Sequence, residues 1–126
     1  MRAFTLAALL SVATIGPALA DATIAGNWRG DMGNHVVMNM TITDNGQWNS
    51  ETRQGETLVS KMEGSYHQTP RSQTRGRVVF VPTHAETSAT HGAAKRETDQ
   101  YSVADNGQVL RLTSGGDTMV FHKTSP

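Results

Sequence analysis

The tetrapeptide Asp-Asn-Gly-Gln stands at residues 44–47 and again at 105–108, each time between two runs that alternate apolar and polar. Asn-Gly in that setting is a strong local signal for a β-hairpin, because both central residues of a type I′ turn need φ > 0. Written twice, it commits the chain to antiparallel hairpins. The alternation agrees. Over 35–43, Val36, Met38, Met40 and Ile42 fall on one face and Val37, Asn39 and Thr41 on the other. Ile24, Gly26 and Trp28 share a face over 23–29, and Trp48 faces the apolar side of 47–53. Leu58, Met62 and Tyr66 recur at period two over 57–67, with Gly64 between them as a bend or close-approach point. The most apolar run is 77–82. Tyr101 and Val103 mark 96–104, Leu110 and Leu112 mark 108–113, and Met119 and Phe121 mark 118–123.

Turns are expected at 30–34, 54–56 and 114–117, and loops at 69–76 and 83–95, the second holding at most one helical turn at Ala93-Ala94. No stretch carries a 3.6-residue period. Eight short strands in sequence order predict an all-β fold, an eight-stranded antiparallel up-and-down barrel, since closing the sheet removes its aggregation-prone edges. A β-sandwich is the alternative, and tight sequential hairpins suit it less well.

The chain opens with an export signal. Arg2 supplies the positive start, 3–15 is an apolar stretch of h-region length, and Ala18-Leu19-Ala20 is an A-x-A cleavage site. The stretch is shorter than the about 20 apolar residues that span a bilayer, and no Cys follows it to carry a lipid. Residues 1–20 are therefore read as a signal peptide of bacterial style and 21–126 as a single domain, periplasmic or secreted. Lys plus Arg and Asp plus Glu are 11 each, and Arg2 is the one charge lost with the leader. A near-neutral surface gives no electrostatic reason to bind nucleic acid or a membrane. With 0 Cys, disulfide, thiolate-metal and Cys-nucleophile chemistry are excluded, and stability must come from a packed core.

Gly26-Asn27-Trp28 is a Gly-x-Trp on the first strand after the signal. With eight hairpin-linked strands behind it, the chain resembles the lipocalin-like barrels of the calycin superfamily, and in size the short bacterial members. Thr98-Asp99-Gln100-Tyr101 is loosely similar to the family's Thr-Asp-Tyr. Avidin-type barrels share the size and the Gly-x-Trp start, but set several Trp around the ligand where this chain has Trp28 and Trp48. The resemblance implies that Gly26 and Trp28 form a barrel base and that a late-strand cation, Arg111 or Lys123, covers the Trp ring. The first of these is the expected base residue.

Met32, His35, Met38 and Met40 lie close together in sequence, and thioethers with imidazole suit Cu(I). Met38 and Met40, however, share the apolar face with Val36 and Ile42, where Met is an ordinary core filler. His67, His84, His91 and His122 have no zinc-ligand spacing. No metal or cofactor is expected. There is no G-x-S-x-G, and Ser60 and Lys61 fall on opposite faces of a strand. Glu51, Glu56, Glu63, Glu86 and Glu97 are scattered singly and read as solvated surface; whether two meet at a barrel mouth depends on shear, which local spacing does not encode. The chain is read as no enzyme. Arg71, Arg75 and Arg77 form the one local basic cluster, read as a solvated loop.

Strand parity puts 30–34, 54–56, 83–95 and 114–117 at one end, and both Asp-Asn-Gly turns, the Arg loop and the termini at the other. Long loops on a rigid scaffold usually carry binding, so a ligand mouth is expected among 30–34, 83–95 and 114–117. At eight strands the interior either fills or holds one small ligand. The expectation is an exported binding protein for a small apolar or amphipathic molecule, lined by Met40, Trp48, Met62, Tyr66, Phe80 and Leu112. The alternative is a filled barrel that docks a periplasmic protein as an inhibitor or accessory subunit.

Overall fold

The structure is a computed structural model that describes residues 23–87 and 95–125. The expected signal peptide, His91 and the helical turn expected at Ala93-Ala94 lie outside the described residues. Eight strands follow one another: β1 (Gly26–Gly33), β2 (Val36–Ile42), β3 (Gln47–Gln54), β4 (Thr57–Pro70), β5 (Arg75–Thr87), β6 (Glu97–Ala104), β7 (Val109–Ser114) and β8 (Asp117–Ser125). Each pairs antiparallel with its sequence neighbours, and β8 returns to β1, so the sheet is a closed up-and-down barrel rather than a sandwich. No described helix is long and apolar enough to cross a membrane.

The hairpins stand where the sequence puts them, but the turn chemistry differs. At the first Asp-Asn-Gly only Gly46 has positive φ, and the Thr43 amide bonds to the Gln47 carbonyl across a three-residue connection. That is the three-residue hairpin that closes on a left-handed glycine. At the second, Asp105, Asn106 and Gly107 all have positive φ in a longer connection between Ala104 and Val109. Two-residue turns with positive φ at both positions occur instead at Asn34-His35 and Gly115-Gly116. Here β1 runs on to pair Gly33 with Val36, past the turn expected at 30–34. Likewise β4 and β5 extend past their expected ends, which shrinks the Arg loop to 71–74 and turns 83–87 into strand. His84 therefore sits on β5, exposed, with its Nε2 3.0 Å from Glu86 Oε2.

Alternation sends one face of every strand inward. Trp28, Met40, Ile42, Trp48, Val78, Phe80, Tyr101, Val103, Leu110, Leu112 and Phe121 make one continuous core. Two glycines beside its tryptophans stand where a neighbouring chain comes too close for a Cβ. Trp48 pairs with Gly64 across β3 and β4 and donates its Nε1–H to the Ser65 carbonyl at 2.8 Å. A Cβ on Gly64 would lie 2.1 Å from the Val81 carbonyl oxygen, at the bulge where β4 meets β5. Gly26, with φ +150, lets Lys123 cross the barrel end, because a Cβ there would lie 2.7 Å from the Lys123 Cε.

That crossing builds the base. Trp28 and Lys123 are directly paired between β1 and β8, and the Lys123 ammonium lies 5.5 Å from the Trp28 ring centroid. The Trp28 Nε1–H donates to the Ile24 carbonyl at 2.9 Å, and Ile24 itself is fully buried. The cation over the ring is thus Lys123 and not Arg111. Leu110 and Leu112 take the inward positions of β7, which leaves Arg111 exposed on the outer face.

Two consequences are measurable by urea unfolding. Gly64→Ala should cost about 2–3 kcal/mol, because the clash is with backbone that has no rotamer to change. Lys123→Ala should cost about 1 kcal/mol through the lost contact with Trp28, whereas Arg111→Ala should stay within about 0.5 kcal/mol of wild type.

Candidate functional site

The two barrel ends are built differently. At the Asp-Asn-Gly end the interior is filled by Trp28, Ile24, Ile42, Val103 and Leu110. Toward the other end the inward positions fall to unbranched methionines: Met38 on β2, Met62 on β4 and Met119 on β8 are only partly buried. They do not fill the space. A cavity of about 180 Å³ remains among them and Met40, Trp48, Phe80, Leu112 and Phe121. The cavity reaches the surface at Lys95 and Glu97, both exposed. This is the end that strand parity assigns to a mouth.

Five of the six expected lining residues meet there: Met40, Trp48, Met62, Phe80 and Leu112. Trp48 and Phe80 pack edge to face, with centroids 5.1 Å apart and planes at 70°, an arrangement that suits the ring quadrupoles. Tyr66 does not join the wall. It shares the inward parity of Met62 but sits further along β4, level with Gly46, and packs on the far side of Phe80 with centroids 6.5 Å apart. Its hydroxyl donates to the Thr43 carbonyl at 2.5 Å, tying β4 to the β2–β3 turn. Burial, and then the Asp44 carboxylate, push this phenol above its ordinary pKa. The Met-His group is likewise divided: Met38 and Met40 face the cavity, while His35 is exposed in the turn.

The polar wall is what local sequence reading missed. Ser50 on β3 and Asp99 on β6 are buried and face the cavity, and Glu97 joins them at the rim. The parity of Tyr101 and Val103 already places Asp99 and Glu97 on the inward side of β6, so Glu97, exposed as expected, stands at the rim of the cavity. Asp99 is 2% exposed, and its Oδ1 has no hydrogen-bond partner. Such a group normally finds one, because an unpaired buried polar atom costs about 1–3 kcal/mol. Burial is the main cause that raises the Asp99 pKa to about 8. The Glu97 carboxyl adds to it through a shared proton and through its charge, and the Ser114 hydroxyl, donating to Asp99, opposes it.

Among the described residues no group of three or more His, Cys, Asp or Glu side chains is placed to hold a metal ion. The arrangement offers a mostly apolar chamber of one small molecule's size, with two acids on β6 and the aromatic rings of Trp48, Phe80 and Phe121 among its lining. No protein-family model, no curated protein and no solved structure matches the chain.

Asp99 makes stability fall with pH. The unfolded chain releases this proton near pH 3.8 and the folded chain near 8. Over that window the native state binds the extra proton, so its stability declines as pH rises and the burden is complete above about 8. Asp99→Asn removes the titration. In urea unfolding at pH 8.5 the variant should be more stable than wild type by several kcal/mol, about 5 at most for a displacement of this size, and near pH 4 the two should coincide.

Proposed function

We propose that this chain is an exported, lipocalin-like barrel that holds a small apolar or amphipathic molecule at its methionine-lined end. The observation that carries the reading is the cavity of about 180 Å³ beside Trp48 and Phe80. A dry apolar cavity of about 150 Å³ is enough for a benzene-sized molecule, and a mostly apolar chamber with a few convergent polar groups is the usual form of a small-molecule site. The flexible thioethers of Met38, Met40, Met62 and Met119 allow the wall to adapt to its occupant. The Gly26-Asn27-Trp28 start and the Lys123 cover on Trp28 support a place among the calycin barrels. The leader sequence supports export to the periplasm or beyond. The described lining residues are mostly apolar, and binding rather than turnover is the role proposed. The alternative of an inhibitor or accessory subunit rests on a filled barrel, and the cavity favours the first reading over it.

Titration with benzyl alcohol, read by Trp48 fluorescence, tests this. The expected result is a saturable change with a Kd on the order of 1 mM, as suits about eight heavy atoms in an apolar pocket. The change should be lost in Trp48→Phe, and saturating alcohol should raise the melting temperature. No saturable signal, together with a bare mass for the exported protein in native mass spectrometry, would overturn the reading.

A further inference from the structure

We propose that the occupant of the cavity is a small organic cation, an apolar body bearing one protonated amine, and that Asp99 is the residue that receives its ammonium group. The inference rests on the binding reading above and narrows it to a chemical class. Four observations carry it. Asp99 lines the cavity, and its Oδ1 is buried without a hydrogen-bond partner. A second carboxyl, Glu97, stands beside it on the same wall, nearer the rim. Apart from Ser50 and the rim residue Lys95, the other described lining residues are apolar, so an ammonium there meets its acidic partners on this one wall. Trp48, Phe80 and Phe121 present rings to the same space, and aromatic faces attract cations.

Anionic and neutral occupants fit less well. An anion brought to Asp99 would meet the charge of Glu97. A neutral apolar molecule would fill the chamber and leave Oδ1 without a partner. An ammonium offers several N–H donors and compensates one buried charge with another, which is how a buried carboxylate becomes tolerable.

Among the described residues, the titratable ones on the cavity wall are Lys95, Glu97 and Asp99. The strands that flank Asp99 bring it Val78 from β5 and the Ser114 hydroxyl from β7. Lys95 is exposed at the rim and is not among the causes of the Asp99 shift. In the empty barrel Asp99 holds its proton up to about pH 8. Entry of the cation therefore has a proton balance. The amine arrives protonated, Asp99 gives its proton to solvent, and an ammonium–carboxylate pair replaces a neutral acid. Binding should release close to one proton at pH 7 and tighten as pH rises toward 8.5, while the amine itself stays charged.

The test compares benzylamine, benzyl alcohol and benzoate on the intact protein by titration calorimetry at pH 6 and pH 8.5. At pH 8.5 benzylamine should bind at least about tenfold tighter than benzyl alcohol, a difference of about 1.4 kcal/mol. The preference should shrink at pH 6, and proton release should appear as a dependence of the heat on buffer ionisation. Asp99→Asn should abolish the preference. Glu97→Gln, at an exposed rim position, should move the onset of the preference to lower pH by removing the neighbour that holds the Asp99 proton on. These outcomes support the proposal. If benzyl alcohol binds and benzylamine binds no tighter at either pH, or if benzoate is preferred, the proposal is overturned and the apolar pocket stands. If none of the three binds, the pocket reading falls and this inference with it.

Discussion

The pairing of β8 with β1 is the constraint on which the rest of the molecule depends. It turns eight hairpin-linked strands into a ring, and a ring has no free edge and a fixed circumference. With the circumference fixed, the interior has a set width, and side-chain volume alone decides what fills it. At the closing seam the largest ring, Trp28, faces Lys123 across the strands. Gly26 leaves the space that lets the lysine stem lie over the indole. One end is thereby filled. The other end receives methionines that leave a chamber, so the asymmetry of the barrel is an asymmetry of side-chain volume and shape, not of backbone.

The second consequence of closure is electrostatic. Inward positions away from the open rim are cut off from water by the ring itself, whatever residue stands there. On seven strands the inward residues nearest the chamber are apolar, aromatic or the small Ser50. On β6 the same parity that buries Tyr101 and Val103 also buries Asp99, and burial raises its pKa to about 8. The core thus carries a group that opposes its own stability above mid-range pH. Packing gives no reason to place it there. A role in holding a ligand gives one, and it accounts for the proximity of Glu97, which adds to the strain on the empty site and would be relieved by an incoming positive charge.

Much of the fold was legible because β structure writes its faces at period two. The strand count, the sequential pairing, the end that opens and five of the six lining residues followed from parity and turn residues. The failures have separate physical causes. Tyr66 shares the parity of Met62, but depth along a tilted strand depends on stagger, and that puts it level with the β2–β3 turn instead of the cavity. Arg111 was set against Trp28 by resemblance, while the inward Leu110 and Leu112 beside it already point it outward. The lengths of β4 and β5 were underestimated because polar residues such as Thr83 and His84 continue a strand when backbone partners are present to pair with them. The Asp-Asn-Gly turns adopt longer connections than the two-residue form, since the register of the flanking strands, not the tetrapeptide, sets the loop length.

By itself the sequence determined the alternation, the hairpin order and the aromatic and glycine positions, because each depends on neighbours a few residues apart. Tertiary structure alone decided three things: that the ring closes with Lys123 on Trp28, that the methionine end leaves about 180 Å³ unfilled, and that Asp99 is left there without a partner at Oδ1. All three depend on distances between strands far apart in the chain, which are set by stagger and side-chain volume around the whole barrel and by no local spacing.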